Sequence, residues 1–189
     1  MNKTLCCACI ALITIPVGLL AHEKLQAQSA PPANPIITGE KALYTFISDA
    51  VIKSAEKVPE ENYSFKPTPE VRSFGQLVGH QADEAYFFCS QAVSEENPKK
   101  GLEKTLTSKA DLVAALKDGV AYCNKTLGGM TDAKGSEMIK FFGRDMARMT
   151  LVSLNTAHMD EHYGNMVTYM RLKGIVPPTS EKQPAPASK

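Results

Sequence analysis

The sequence contains no tryptophan, and only 7% of its 189 residues are aromatic. It also lacks a surplus of charge of either sign, because 21 Lys and Arg residues face 20 Asp and Glu residues. Proteins that bind nucleic acid through its phosphates carry clustered positive charge. The composition therefore excludes nucleic acid as an expected partner and is typical of an ordinary helical protein.

Several motifs are missing as well. The sequence shows no internal repeat, no glycine-rich phosphate loop and no alternating strand pattern. The zinc-peptidase motif H-E-x-x-H is absent, because Met159 follows His158 and the nearby glutamate, Glu161, precedes His162 instead. Since the residue after the first histidine of that motif is the general base, we do not expect a peptidase.

Residues 1–28 have the pattern of a secretory signal peptide. Lys3 supplies a positive charge, residues 6–20 form an apolar run, and small residues follow at 27–30. The run is short and is interrupted by a proline and a glycine, so it is a poor membrane span. We therefore expect export to the periplasm or the exterior, with no membrane attachment after cleavage. Retention as an uncleaved anchor is the alternative.

Cleavage would leave two cysteines, Cys89 and Cys123, and three histidines, His80, His158 and His162. An oxidising compartment allows a disulfide between the two cysteines. The alternative is a pair of unlinked thiols, and the sequence does not choose between the two.

Four amphipathic helices are predicted from the spacing of apolar residues and from capping residues. They predict an all-α four-helix bundle over 38–178, with a flexible linker at 29–37 and a disordered tail at 179–189. Residues 59–72 hold three prolines and are expected to form an ordered crossover loop, whereas 130–145 fit either a short helix or an extended segment. In chain order, the predicted helices cover 38–57, 73–93, 108–127 and 147–175.

The predicted core-facing stripes determine where side chains should be buried. In the first helix the stripe includes Leu43 and Ile47, and in the last it includes Leu151, Leu154 and Leu172. These positions recur at steps of three and four, which places them on one face of a helix.

His158 and His162 lie four residues apart within the last stripe, and His80 lies on the inward face of the second helix, one turn before Glu84. Burying an unpaired imidazole costs about 1–3 kcal/mol, so each ring needs a partner. Hydrogen-bonded core histidines are one solution. A shared metal ion is favoured because every histidine of the mature chain faces inward. Zinc is the first candidate, and nickel, iron or copper also bind imidazoles, so the sequence does not choose among them.

The sequence resembles the DinB/YfiT family in two motifs. They are R-S-F-G-Q-L-V-G-H at 72–80 and H-M-D-E-H-Y-G-N within 158–178. The resemblance covers most of 39–178. It implies a four-helix bundle with a crossover connection, a divalent metal held by three histidines, and a homodimer. The metal ligands carry over onto His80, His158 and His162. Characterised members of the family include thiol-dependent transferases and isomerases.

The chain departs from the family pattern after the last ligand, where many members have H-R-G-Q and this sequence has Tyr163-Gly164-Asn165. The substrate therefore remains an unknown small molecule. Glu84 and Glu161 are the candidate catalytic proton carriers. Asp83 is expected on a solvated helix face, although orienting His80 is its alternative role.

The sequence thus predicts an exported, DinB-like metal-binding protein that acts as a metal-dependent hydrolase or transferase. The alternative is a non-catalytic bundle that serves for binding or structure, with a structural or vestigial metal site. An open coordination position would favour the enzyme, and a fourth protein ligand would favour the structural site.

Overall fold

The computed structural model describes residues 33–181. The predicted signal peptide, the first part of the linker and the tail from residue 182 lie outside the described residues. No helix in the described part combines the length and the apolar character needed to cross a membrane.

Four long helices form the bundle, as predicted, and shorter elements connect them. Helix α1 packs against α4 and α6, and α2 packs against the same two helices. Helices α1 and α2 therefore occupy diagonally opposite positions in the four-helix bundle. The segment between them crosses the bundle, which confirms the crossover connection. The elements are α1 Pro35–Lys57, α2 Phe74–Val93, α3 Leu102–Thr105, α4 Lys109–Gly128, α5 Asp132–Gly135, β1 Met138–Phe141, β2 Arg144–Ala147 and α6 Arg148–Leu172.

Helix α1 begins three residues before its predicted start at Thr38. Pro35 occupies the first turn, where its fixed φ and missing N–H suit a helix N-terminus. The hydroxyl of Thr38 lies inside that turn and donates to the carbonyl oxygen of Asn34 at 2.7 Å. The predicted start was therefore wrong, and residues 35–37 belong to the helix rather than to a linker.

The predicted starts of the second and third long helices are correct, and a serine caps each of them. Ser73 accepts a hydrogen bond from the Gln76 N–H, and the Gln76 side chain accepts one from the Ser73 N–H, which forms a complete capping box. Ser108 caps α4 by accepting from the Asp111 N–H at 3.1 Å. The Asp111 carboxylate accepts a hydrogen bond from the Ser108 hydroxyl at 2.7 Å and not from the Ser108 backbone N–H. The capping box of α4 is therefore only half formed.

The buried faces of α1 and α6 are rotated from the predicted stripes. Ile47 and Leu151 are buried as expected, but Leu43 is 60% exposed, Leu154 41% and Leu172 59%. Since α6 packs against both α1 and α2, its buried face lies between two neighbours rather than along one straight stripe. The core positions of α6 are Leu151, Val152, Asn155, Met159, His162, Tyr163, Met166, Tyr169 and Met170.

The ambiguous segment before α6 contains the antiparallel hairpin of β1 and β2. Its two-residue turn is Phe142-Gly143, with φ of 47° and 77°. Two consecutive positive φ values define the type I′ turn that matches the twist of paired strands, and glycine adopts such a value without strain.

Cys89 of α2 and Cys123 of α4 form a disulfide, with their Cα atoms 5.3 Å apart. That separation lies within the usual range for a disulfide. Both residues are buried, and the amide of Asn155 approaches the two sulfurs at 3.5 and 3.3 Å. The sequence alone allowed either this disulfide or two unlinked thiols.

The end of the described chain is ordered further than predicted. Residues 178–180 form a single 3-10 turn, and the Thr179 hydroxyl lies 2.8 Å from the Tyr163 hydroxyl. The crossover loop is fixed to the core as predicted, because Tyr63 is buried and Phe65 packs edge-to-face on Tyr169.

Candidate metal centre

Three imidazoles converge where α2 meets α6. One ring nitrogen from each of His80, His158 and His162 lies within 4.8 Å of the other two. The Nε2 atoms of His80 and His158 are 3.2 Å apart. Nitrogens bound to one tetrahedral zinc ion at about 2.0–2.1 Å lie roughly 3.3 Å from one another. His80 and His158 therefore have the spacing that one ion needs, and His162 lies close enough to join them.

The Nε2 atom of His162 is buried and has no hydrogen-bond partner in the described structure. The residue is only 6% exposed. The other ring nitrogen, Nδ1, lies 3.3 Å from the side-chain amide of Asn165. The amide nitrogen Nδ2 faces Nδ1 and donates to it. A half-turn of the amide would present its oxygen instead, so that Nδ1 carries the ring proton and the Nε2 lone pair is free for a cation. The donor set thus fits a divalent metal.

Burial lowers the pKa of all three histidines. The pKa of His162 falls to about 4, first through burial and then through the nearby rings of His158 and His80. The site is therefore neutral at physiological pH, and metal binding needs unprotonated imidazole nitrogens.

Glu103 contacts this site, although no sequence motif marks it. It lies in the short helix α3, and its Oε2 is 3.2 Å from Nδ1 of His80. Its other oxygen accepts a hydrogen bond from Nε of Arg72 at 2.9 Å. No periodic pattern surrounds Glu103, and only the fold shows that α3 lies beside α2.

The predicted proton carriers do not join the histidine cluster. Glu161 is 4.0 Å from Nδ1 of His158, with a side chain 70% exposed. Glu84 is half-buried and forms no hydrogen bond to the histidines in the part of the chain described. Burial raises the pKa of Glu84, and the neighbouring Asp83 raises it further.

Asp83 is not the solvated residue that we expected. Its two carboxylate oxygens accept hydrogen bonds from the N–H groups of Leu102 and Glu103, both at 2.9 Å. Asp83 therefore holds the start of α3 against α2.

A cleft of about 480 Å³ opens beside His162. It is large enough for a small molecule. Tyr169, which lies in its wall, is buried and donates to the Arg72 carbonyl oxygen at 2.8 Å, so it anchors the crossover loop. The cleft is lined by Glu70, Val71, Arg72, Leu77, Glu103, His162, Asn165 and Tyr169.

Comparison with known proteins gives a consistent result. The DinB superfamily model matches residues 44–166. The uncharacterized protein YjoA of Bacillus subtilis (strain 168) is 28% identical over 126 residues, which cover 64% of this chain and 79% of YjoA.

Three solved structures share the fold. A DinB-like protein from Bacillus cereus ATCC 10987 superposes with a TM-score of 0.66 at 19% identity, covering 75% of this chain and 95% of that protein. The DinB-like protein YjoA of Bacillus subtilis gives 0.63 at 21% identity, covering 77% and 99%. A conserved protein from Enterococcus faecalis gives 0.61 at 14% identity, covering 71% and 95%.

Proposed function

The chain belongs to the DinB superfamily, and from this membership and its histidine cluster we propose that it is an exported metalloprotein acting on a small molecule. His80, His158 and His162 hold one divalent ion, with zinc as the first candidate and nickel or iron as alternatives. The activity is that of a metal-dependent hydrolase or transferase.

The observation that carries the metal site is the buried, unpartnered Nε2 of His162. An unsatisfied buried nitrogen of this kind costs about 1–3 kcal/mol. A cation shared with His80 and His158 removes that cost, whereas three independently hydrogen-bonded core histidines would not leave the atom without a partner.

The number of ligands supports an enzyme over a structural site. Among residues 33–181, the cluster contains three histidines and no fourth His, Cys, Asp or Glu ligand. A divalent ion held by three protein ligands supplies Lewis acidity at an open coordination position. The cleft gives a small molecule access to that position, with Arg72 and Glu70 as polar contacts and Leu77 as an apolar one.

Proton transfer is assigned to Glu84 or Glu161. The raised pKa of Glu84 brings this carboxyl closer to the range in which it both holds and releases a proton near neutral pH. Glu161 lies at the exposed rim beside His158 and is suited to exchange protons with solvent.

Export is proposed on two grounds. The pattern of residues 1–28 is that of a signal peptide. The buried Cys89–Cys123 disulfide supports an oxidising compartment, since such bonds are rare in the cytosol.

Metal analysis of the purified protein tests the proposal. Elemental analysis should find close to one divalent ion per chain, and zinc titration of chelator-treated protein should give one site, which His162→Ala removes. Hydrolase and thiol-transferase screens with and without the ion then separate the enzyme from the non-catalytic alternative. A wild-type protein that binds none of zinc, nickel, iron or copper would contradict the proposal.

A further inference from the structure

The contact between Glu103 and His80 determines which ring nitrogen faces the other histidines. A neutral imidazole carries one proton, on either Nδ1 or Nε2. Oε2 of the Glu103 carboxylate lies 3.2 Å from Nδ1 and favours a ring N–H at that position. The proton is thereby held on Nδ1, and the lone pair of Nε2 points towards His158, whose Nε2 is 3.2 Å away.

Three features outside the histidine cluster hold Glu103 in this position. The first is Asp83, which accepts hydrogen bonds from the N–H groups of Leu102 and Glu103 itself. The second is Arg72, whose Nε donates to the Glu103 carboxylate at 2.9 Å. Together they fix both the backbone and the side chain of Glu103, and a four-residue helix such as α3 would not be stable without such contacts.

The third feature is Gly79, the residue directly before His80. A Cβ atom placed on Gly79 would lie 2.7 Å from Cα of Glu103 and 3.1 Å from its backbone nitrogen. Contacts this close to backbone atoms are not tolerated, so any larger residue would push α3 away from α2. The glycine therefore permits the approach that brings Glu103 to His80.

We propose that Glu103 is a positioning residue that orients His80 with Nε2 facing His158 and His162, and that Gly79, Asp83 and Arg72 maintain this arrangement. The inference rests on the proposed metal function and extends it to residues outside the ligand set. Carboxylates that accept the second N–H of a ligating histidine fix its tautomer and raise its basicity.

The orientation is tested on metal-free protein by long-range proton–nitrogen NMR of the His80 ring. We expect the proton on Nδ1 in the wild type and a shift towards the Nε2–H form in Glu103→Ala. The zinc affinity, measured by calorimetric titration, should fall about tenfold to a hundredfold in the same variant. Glu103→Gln should restore most of the affinity, because its amide oxygen accepts the same hydrogen bond.

The matched control is Glu137→Ala. Glu137 also accepts from an arginine Nε, that of Arg148 at 3.0 Å, but it has no contact with the histidines. This variant should bind zinc like the wild type, and thermal melting of the metal-free variants shows whether each is folded. A second variant, Gly79→Ala, should weaken zinc binding through displacement of α3.

The inference is overturned if Glu103→Ala leaves both the His80 tautomer and the zinc affinity unchanged. It is also overturned if His80 of the wild type carries its proton on Nε2. A wild-type protein that binds no metal, but whose His80 tautomer still depends on Glu103, would contradict the proposed function and support the orienting role.

Discussion

The Nε2 atoms of His80 and His158 lie 3.2 Å apart although 78 residues separate the two in the chain. Two protonated imidazoles at that distance would repel each other. The arrangement therefore requires at least one neutral ring. It is compatible with one ring donating to the other, or with a cation between them.

The first prediction concerns pH. The unperturbed pKa of histidine is about 6.5, and in the folded protein it is lowered for all three rings. The unfolded chain therefore takes up protons first as pH falls. The stabilisation from neutral rings is complete above the unfolded pKa and is lost as pH falls towards the folded value, about 4 for His162.

Zinc should add to this dependence, because protons compete with the ion for the same nitrogens. Differential scanning calorimetry should show a zinc-dependent increase in melting temperature at about pH 7.5 that shrinks towards about pH 5. An increase of constant size across that range would show that zinc binds somewhere other than to the imidazoles.

The second prediction concerns the ligands on different helices. His80→Ala and His158→Ala should each abolish most of the zinc-dependent increase in melting temperature, because one ion bridges α2 and α6. The control Glu137→Ala should keep the increase. If His158→Ala loses the zinc-dependent increase and His80→Ala keeps it, α2 and α6 do not share an ion.

The third prediction concerns the disulfide. The bond between Cys89 and Cys123 closes a segment with a sequence separation of 34 residues. Loop-closure entropy then gives about 3 to 4 kcal/mol of stabilisation. Urea denaturation of Cys89→Ser/Cys123→Ser, or of reduced protein, should show a loss of that order. A thiol assay on denatured mature protein that finds two free cysteines would contradict the bond.

The fourth prediction concerns export. Expressed in a bacterial host with its full leader, the protein should be recovered outside the cytosol with an N-terminus between about Ala27 and Pro32. Intact-mass spectrometry measures this directly. A cytosolic protein that retains Met1 would be inconsistent with export.

The fifth prediction concerns assembly. We propose that the protein is a homodimer, and three large apolar side chains of α1, Ile36, Leu43 and Phe46, are 62%, 60% and 64% exposed. Exposed apolar groups of this size are typical of interaction surfaces.

Light scattering should give twice the mass of one chain for the wild type. Phe46→Glu should shift the mass towards that of one chain if α1 forms the interface, whereas Lys125→Glu, at an exposed position of α4, should not. A wild-type mass of one chain at tens of micromolar would rule out the dimer.

Much of the fold follows from local sequence patterns. Ser73 and Ser108 marked the starts of α2 and α4, and Pro59 marked the end of α1, because caps and prolines act over one helical turn. The buried residues of α4 also follow a regular sequence spacing, because they recur at steps of three and four from Leu112 to Leu127. The start of α1 and the buried faces of α1 and α6 were predicted less well, because Pro35 fits the first helical turn and α6 packs against two neighbours.

The sequence by itself determined the four helices, the DinB resemblance and the three histidines as candidate ligands. Each depends on residue type and on spacing along one segment. Only the tertiary structure decided that Cys89 meets Cys123, that Asp83 caps α3 and that Glu103 reaches His80. Those contacts join residues separated by 19 or more positions, and they exist because α2 packs closely on α3 and α4. Spacing along one helix carries no information about which neighbour that helix meets.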